Sequence, residues 1–217
     1  MDWPDIETPT LTRTGQIVVL NGVPRSGKSS IAAALAAAAP DQWTSVGVDS
    51  MRSATPKELL PGVGLRPGGE RPDIEAHLME LYGRMYSQVQ DAADSGLNVA
   101  VDVGHHEGHS RPVGVLDAIA ESMAERRALF VGVRCSVEEI LRRRDVSSDS
   151  VVSYAGSNPD GSAPEPVLLW ERFVHEPGVY DMEVDTSVTT AAECAGAIIE
   201  RLATGRPPTA FRQLASR

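Results

Sequence analysis

The sequence of 217 residues predicts an α/β fold with a five-stranded parallel sheet and helices on both of its faces. Two observations support this fold class. Short runs rich in Val and Ile alternate with longer segments in which apolar residues recur at helical spacing. The octapeptide of residues 22–29, GVPRSGKS, stands between the first apolar run and the first helical segment. A hydrophobic content of 41% with 5% aromatic residues indicates a core made mainly of aliphatic side chains.

The five predicted strands are short and rich in β-branched residues, as expected for strands that are covered on both faces. They comprise residues 16–20, 44–48, 98–103, 128–133 and 181–185. Because a helical segment separates each pair of consecutive strands, the connections are expected to be right-handed crossovers within one parallel sheet.

The predicted helices show apolar residues on one face and recognisable ends. The first is rich in alanine and stops at Pro40, and the longest begins near Asp73 and ends before Gly96. Together they comprise residues 30–39, 73–95, 113–125, 137–144, 166–175 and 190–203.

The octapeptide has the pattern G-x-x-x-x-G-K-[ST], which is typical of a phosphate-binding loop between a strand and a helix. Its glycines allow backbone N–H groups to turn toward a polyphosphate, and Lys28 is expected to reach the β- and γ-phosphates. The Ser29 hydroxyl is the expected ligand of Mg²⁺. The sequence therefore predicts a P-loop NTPase fold of the nucleoside-kinase-like kind that binds ATP and Mg²⁺. The predicted nucleotide-binding residues are Gly22, Val23, Pro24, Arg25, Ser26, Gly27, Lys28, Ser29 and Ser30.

Two aspartates are candidates for catalysis, because ligands of parallel α/β sheets bind beyond the carboxyl ends of the strands. Asp102 lies at the end of the third predicted strand and, with Ser29, is the predicted holder of Mg²⁺. Asp49 follows the second strand and is the predicted base that takes the proton of an acceptor hydroxyl. The alternative role of each aspartate is to cap a turn or a neighbouring helix.

Arginines are expected to stabilise the charge of a phosphoryl group during its transfer. Arg143 and Arg144 precede a Ser-, Pro- and Gly-rich segment that is predicted to close as a lid, and Arg172 follows it. Arg143 and Arg144 are the favoured catalytic candidates, although consecutive arginines on a helix cannot all face one site. Arg134 is expected either in the site or in a structural salt bridge, and the Arg25 side chain either in solvent or at the edge of the nucleotide.

Three histidines, His105, His106 and His109, follow the third strand together with Glu107. Their spacing matches no familiar zinc signature. Metal binding, contact with the acceptor and an ordinary surface loop all remain open as interpretations of this segment.

The chain divides into three parts at the level of domains. Residues 1–14 are predicted to be a flexible N-terminal arm, residues 15–204 the P-loop kinase domain, and residues 205–217 a C-terminal tail. The mobile lid falls at about 145–165. The Pro- and Gly-rich segment 51–72 is interpreted as a loop that forms the acceptor pocket.

The composition of the chain limits the classes of partner that can be expected for it. The net charge of −10 argues against a nucleic-acid or anionic-membrane surface. Two distant cysteines without metal-ligand spacing, no long apolar run and no signal sequence predict a cytoplasmic protein without a membrane partner. The expected partner is a small molecule with a hydroxyl group, and the sequence makes no prediction of the oligomeric state.

Several blocks of the sequence resemble the chloramphenicol phosphotransferase-like group of P-loop kinases. The resemblance spans about residues 16–200 and lies in residues 18–30 (VVLNGVPRSGKSS), Trp43, 47–50 (GVDS), 131–135 (VGVRC), 174–176 (VHE) and 180–186 (YDMEVDT). It implies an ATP- and Mg²⁺-dependent O-phosphotransferase that inactivates an antibiotic, of the chloramphenicol or nucleoside kind, by phosphorylating a hydroxyl. The resemblance also implies a base, since the aspartate of the family's Gly-Val-Asp block is its proposed base, and this position falls on Asp49.

The sequence departs from this group in the lid. Where relatives carry Arg-Gly-Asp-Arg, residues 147–150 read Ser-Ser-Asp-Ser, so the lid arginine is expected from Arg143, Arg144 or Arg172. Residues 155–164 resemble an insertion. Two other functions remain open: a kinase of a primary-metabolite nucleoside or sugar, and a nucleotide-binding module without transfer chemistry.

Overall fold

A parallel sheet with the strand order β2-β3-β1-β4-β5 forms the centre of the computed structural model. The strands are β1 (Ile17–Asn21), β2 (Trp43–Gly47), β3 (Asn98–Val103), β4 (Ala128–Arg134) and β5 (Met182–Asp185). Every neighbouring pair is parallel, which confirms the predicted five-stranded α/β fold. The structure describes residues 14–39, 42–48, 67–68, 71–126, 128–146 and 157–217.

Several predicted features lie outside these residues. They include the proposed base Asp49, most of the N-terminal arm, most of the acceptor loop 51–72, and residues 147–156 of the predicted lid.

Helices cover both faces of the sheet. They are α1 (Lys28–Ala38), α2 (Pro72–Glu75), α3 (Leu78–Asp94), α4 (Val115–Met123), α5 (Val137–Asp145), α6 (Glu165–Val174), α7 (Ala191–Ala203) and α8 (Ala210–Ala215). The prediction of one continuous helix over 73–95 was wrong, because a turn at residues 76–77 separates α2 from α3. Ile74 and Leu78 pack into the same core on either side of that turn, so the apolar periodicity continues across the break and hides it.

Alternation along β1 assigns its side chains to two cores. Ile17 and Val19 pack against the core that contains α3, α4 and α8, whereas Val18 and Leu20 pack against α1 and α7. All four side chains are fully buried, and a third, smaller core joins α5 to α6 beyond the sheet. The strand that carries the P-loop is thus fixed from both sides.

Helix α8 has no counterpart among the predicted elements. Its residue Phe211 stacks on Phe130 with ring centroids 4.6 Å apart. The Asp181 carboxylate accepts hydrogen bonds from the backbone N–H groups of Thr209, Ala210 and Phe130, and so ties the start of α8 to β4. Within the described residues no helix is both long and apolar enough to span a bilayer.

Candidate active site

The P-loop begins where β1 ends, at the centre of the sheet. Gly22 has no room for a side chain, since a Cβ there would lie 2.5 Å from the Val133 carbonyl oxygen. Gly27 adopts a left-handed conformation with φ of 94°, and so does Arg25 with φ of 73°. These turns lead into α1 at Lys28, so the predicted nucleotide-binding residues form one continuous loop and first helical turn.

Lys28, Ser29 and Asp102 meet at the carboxyl ends of β1 and β3. Asp102 is in register with Leu20 of β1 on one side and Gly47 of β2 on the other. The Lys28 Nζ lies 3.7 Å from the Asp102 Oδ1 and donates a hydrogen bond of 2.9 Å to the Val23 carbonyl oxygen. The Ser29 hydroxyl donates to the other carboxylate oxygen, Oδ2. A hydroxyl and a carboxylate placed side by side offer oxygen ligands of the kind that Mg²⁺ prefers.

A cleft of about 750 Å³ opens beside the P-loop. Three groups of residues line it: the P-loop with the start of α1, the charged face of α5, and the segment that joins β5 to α7. They are Arg25, Gly27, Lys28, Ser29, Ser30, Glu139, Arg142, Arg143, Thr186, Ser187, Val188, Thr189, Thr190 and Ala191. The cleft is of the size of sites that hold a nucleotide-sized ligand.

Arg143 connects α5 with the P-loop. Its Nη1 donates to the carbonyl oxygen of Arg25 (3.1 Å) and to the Thr186 hydroxyl (3.1 Å), and its Nη2 donates to the Thr186 carbonyl oxygen (2.7 Å). The Nε donates to Glu139, which also accepts two hydrogen bonds from Arg142. The hydrogen bonds from Arg142 and Arg143 lower the pKa of Glu139 to about 2.

The structure separates the other predicted arginines. Arg144 is buried on the inner side of α5. Arg134 forms a 2.6 Å salt bridge with Glu183 of β5, which is the structural alternative of the two predicted for it. Arg172 is exposed and lies 3.7 Å from Glu176. Arg25 lines the cleft.

The histidine segment after β3 is not an ordinary surface loop, because its histidine rings are buried. His105 and His106 are 1% and 4% exposed, and the His109 side chain is 4% exposed. His106 contacts the rings of His109 and Trp170 at centroid distances of 4.4 and 4.9 Å. No group of three potential metal ligands occurs in the ranges that the structure describes.

A buried network that the sequence did not reveal centres on Asn21, the residue before the P-loop. Its Nδ2 donates to the Val174 carbonyl oxygen (2.9 Å) and to the Tyr180 hydroxyl (3.1 Å), and its Oδ1 accepts from the His105 N–H (2.7 Å). His175 contacts the same Tyr180 hydroxyl at 3.0 Å. Burial lowers the pKa of His105 and of His175 to about 3, so both rings are neutral at pH 7.

Glu75 of α2 holds the far end of the histidine segment. Its side chain is buried, and its two oxygens accept hydrogen bonds from the backbone N–H and the hydroxyl of Ser110. Burial raises the pKa of Glu75, but the Ser110 hydrogen bonds and the nearby His109 and Arg111 outweigh it and leave that pKa below its ordinary value. This carboxylate therefore stays ionised and fixes the segment against α2.

Solved structures of several kinases have a similar fold. An APS kinase from Mycobacterium tuberculosis, solved with AMPPNP and APS, is 17% identical and has a TM-score of 0.57 over 88% of this chain and 98% of that one. A shikimate kinase from Acinetobacter baumannii in complex with shikimate is 14% identical, with a TM-score of 0.55 over 89% and 96%. A thymidylate kinase from Candida albicans is 15% identical, with a TM-score of 0.53 over 88% and 92%.

Sequence relatives and a family profile agree with each other. Two Mycobacterium tuberculosis proteins, from strains CDC 1551 / Oshkosh and ATCC 25618 / H37Rv, carry the name "Putative O-phosphotransferase". Each is 28% identical to this chain over 94% of its length and 89% of the relative. The family described as "Chloramphenicol phosphotransferase-like protein" matches residues 15–203. The chain therefore belongs to the chloramphenicol phosphotransferase-like family, as its sequence blocks predicted.

Proposed function

We propose that the protein is an ATP- and Mg²⁺-dependent O-phosphotransferase that phosphorylates a hydroxyl of a small-molecule antibiotic and thereby inactivates it. The observation that carries this proposal is the meeting of Lys28, Ser29 and Asp102 beside the cleft, at the carboxyl ends of β1 and β3. Membership in the family and the relatives named as O-phosphotransferases support the class of reaction. The relatives' names do not specify an acceptor.

The cleft suits a nucleoside triphosphate in the proposed orientation. The β- and γ-phosphates would lie against the P-loop N–H groups and Lys28, where backbone donors and a cation answer their negative charge. The base and ribose would then lie between α5 and residues 186–190. There Val188, whose side chain is 83% exposed, offers an apolar surface to a purine ring.

Ser29 and Asp102 would hold Mg²⁺, because their oxygens already lie together next to Lys28. When bound, the ion would neutralise charge on the phosphate oxygens. The side chain of Asp102 is 22% exposed, and its two partners Lys28 and Ser29 line the cleft.

Asp49 is the proposed base. In the sequence it lies two residues after Gly47, the last residue of β2. Gly47 itself pairs with Asp102 of β3. In the proposed reaction the acceptor oxygen forms a bond to the γ-phosphorus, and the bond from that phosphorus to the β,γ-bridging oxygen breaks to release ADP. The hydroxyl proton passes to the Asp49 carboxylate. Arg143 and Arg144 are the proposed arginines that answer charge on the transferred group, and of the two Arg143 lines the cleft.

The acceptor would lie on the other side of the P-loop, against the histidine segment after β3. A Cβ on Gly104 would lie 3.2 Å from the Trp170 ring and 3.1 Å from the Gly22 carbonyl oxygen. The indole therefore lies next to the entrance of the P-loop, and it contacts His106. Aromatic rings at this position favour a flat or partly apolar acceptor.

The proposed location of the reaction is the cytoplasm.

A phosphoryl-transfer assay tests the proposal. The protein would be incubated with γ-labelled ATP, Mg²⁺ and a panel of chloramphenicol, nucleoside antibiotics, nucleosides and sugars. We expect an antibiotic in the panel to gain the mass of one phosphoryl group, and the Asp49→Asn variant to bind ATP without transferring it. Phosphorylation confined to ordinary nucleosides or sugars would contradict the antibiotic assignment, and ATP binding without any transfer would favour a nucleotide-binding module.

A further inference from the structure

We propose that Arg143 and Thr186 form a positioning pair that sets the conformation of the P-loop before nucleotide arrives. The inference rests on the proposed function only in taking the P-loop as the nucleotide site. The two side chains come from different elements, α5 and the end of β5, and they hold consecutive peptide carbonyls of the loop. No sequence motif joins these three segments.

The contacts form a chain across the base of the loop. Arg143 donates to the carbonyl oxygen of Arg25 at 3.1 Å, and the Thr186 hydroxyl donates to that of Ser26 at 2.6 Å. Arg143 also donates to the Thr186 hydroxyl and carbonyl oxygen. Thr186 is 8% exposed, so its hydrogen bond to the Ser26 carbonyl is protected from competition with water.

Because the peptide unit is planar, these contacts to carbonyl oxygens also fix the direction of a backbone N–H in the P-loop. A trans peptide places its N–H opposite its C=O. When the Ser26 carbonyl is held toward Thr186, the N–H of Gly27 points to the opposite side, toward the concave face of the loop. In the same way, the bond from Arg143 favours Arg25 in its left-handed conformation, which a non-glycine residue adopts only at a cost.

Glu139 completes the arrangement from within α5. It accepts a hydrogen bond from the Arg143 Nε at 2.7 Å, one helical turn away, and so fixes the guanidinium plane. A lysine at position 143 would keep the positive charge but has no planar fork to reach Arg25, Thr186 and Glu139 together. The geometry therefore assigns the role to an arginine and not to a cation in general.

The first test uses the protein without nucleotide. Hydrogen exchange of the amides in residues 22–30 would be measured in the wild type and in R143K, T186V and T186S. We expect exchange in R143K and T186V to accelerate by about ten-fold, the loss of one hydrogen bond to a charged or buried partner. T186S retains the hydroxyl and should match the wild type. Unchanged exchange in both R143K and T186V would overturn the proposal.

The second test separates positioning from a loss of folded protein. The Kd for ATP with Mg²⁺ should rise about ten-fold in each of R143K and T186V. In the double variant the Kd should rise by less than the product of the two single increases, because both side chains act on the same loop. If transfer is observed, the KM for ATP should rise more than kcat falls in T186V, which leaves the proposed charge-stabilising Arg143 in place, whereas partial unfolding would lower kcat alone. Arg126→Lys is the matched control and should behave as wild type, because its salt bridge with Asp94 lies near the amino ends of β3 and β4, away from the P-loop.

The two proposals fail in different ways. A protein that transfers no phosphoryl group but shows the exchange pattern above keeps the positioning pair and loses the proposed function. A protein that phosphorylates an acceptor while R143K and T186V bind ATP and exchange like the wild type keeps the function and loses the pair.

Discussion

The two sides of the P-loop are built differently. On the nucleotide side, one contiguous loop is joined by charged or hydroxyl side chains from two distant segments: Glu139 and Arg143 of α5, and Thr186 after β5. On the acceptor side, buried aromatic and histidine rings and one buried carboxylate, Glu75, meet from segments far apart in the chain. The comparison teaches that phosphate binding starts from a local motif held by a few polar long-range contacts, whereas the acceptor side is formed by long-range packing throughout.

The largest expected effect belongs to Asp49→Asn. If Asp49 takes the acceptor proton, kcat should fall by about 10²–10⁴, because the amide cannot act as a base. The Kd for ATP, measured by calorimetry, should stay within about two-fold of the wild type, because the substitution leaves the proposed contacts to ATP unchanged. A variant with normal kcat would remove Asp49 from this role and leave the acceptor side without an identified base.

Lys28→Ala should damage the nucleotide side alone. We expect kcat/KM to fall by about 10²–10³, because a preorganised cation next to Asp102 and the phosphates is lost. Steady-state kinetics with varied ATP would measure it, with Arg84→Ala, an exposed arginine paired with Glu80, as the control. An unchanged KM for ATP would contradict the assignment of Lys28 to phosphate binding.

Acidification should destabilise the acceptor side first. His105 and His175 have a folded-state pKa of about 3, against an ordinary value near 6.5, so the unfolded chain binds more protons below pH 6.5. The contribution of these two neutral rings to the free energy of unfolding is fully present above pH 6.5 and is lost progressively as the pH falls toward 3. Between pH 7 and pH 5 each histidine should cost about 2 kcal/mol of unfolding free energy.

Urea denaturation at pH 7 and pH 5 would measure this loss. The His105→Gln variant should show a smaller difference between the two pH values than the wild type, because glutamine does not titrate. A wild type that is equally stable at both values would show that protonation of these rings costs nothing.

Glu75→Gln should give the smallest effect of the four and should separate the two sides most cleanly. A glutamine amide has a single acceptor oxygen, whereas the two carboxylate oxygens of Glu75 each accept a hydrogen bond from Ser110. The substitution should therefore lower the free energy of unfolding by about 1–3 kcal/mol. We expect a higher KM for the acceptor with the KM for ATP unchanged, measured in parallel titrations. Ser87→Ala, at an exposed site on α3, serves as the control, and a change in the KM for ATP would contradict the division into two sides.

The sequence predicted the sheet well because its strands are buried on both faces and leave continuous apolar runs. The bounds of β3 are those predicted, and the P-loop with Asp102 follows from a motif and from the rule for strand ends. Helix α8 is different. Its burial depends on Phe130 and on a cap from Asp181, which are distant in the chain and leave no periodic signal in six residues.

The residues that the sequence did not identify share one property: their roles depend on backbone partners. Asn21 binds the Val174 carbonyl and the His105 N–H, and Thr186 binds the Ser26 carbonyl. Residue type alone carries no trace of such pairings. A local signal did exist for Glu139, whose spacing of three and four residues to Arg142 and Arg143 predicts ion pairs on one helix face.

The strand order places β1 between β3 and β4, and this has a consequence for how such a protein can be altered. The segment that follows β3 borders one edge of the P-loop, and those that follow β4 and β5 border mainly the other. Engineering for a new alcohol can therefore concentrate on a few segments along one flank. The same arrangement allows a library of variants to be screened with a single phosphoryl donor.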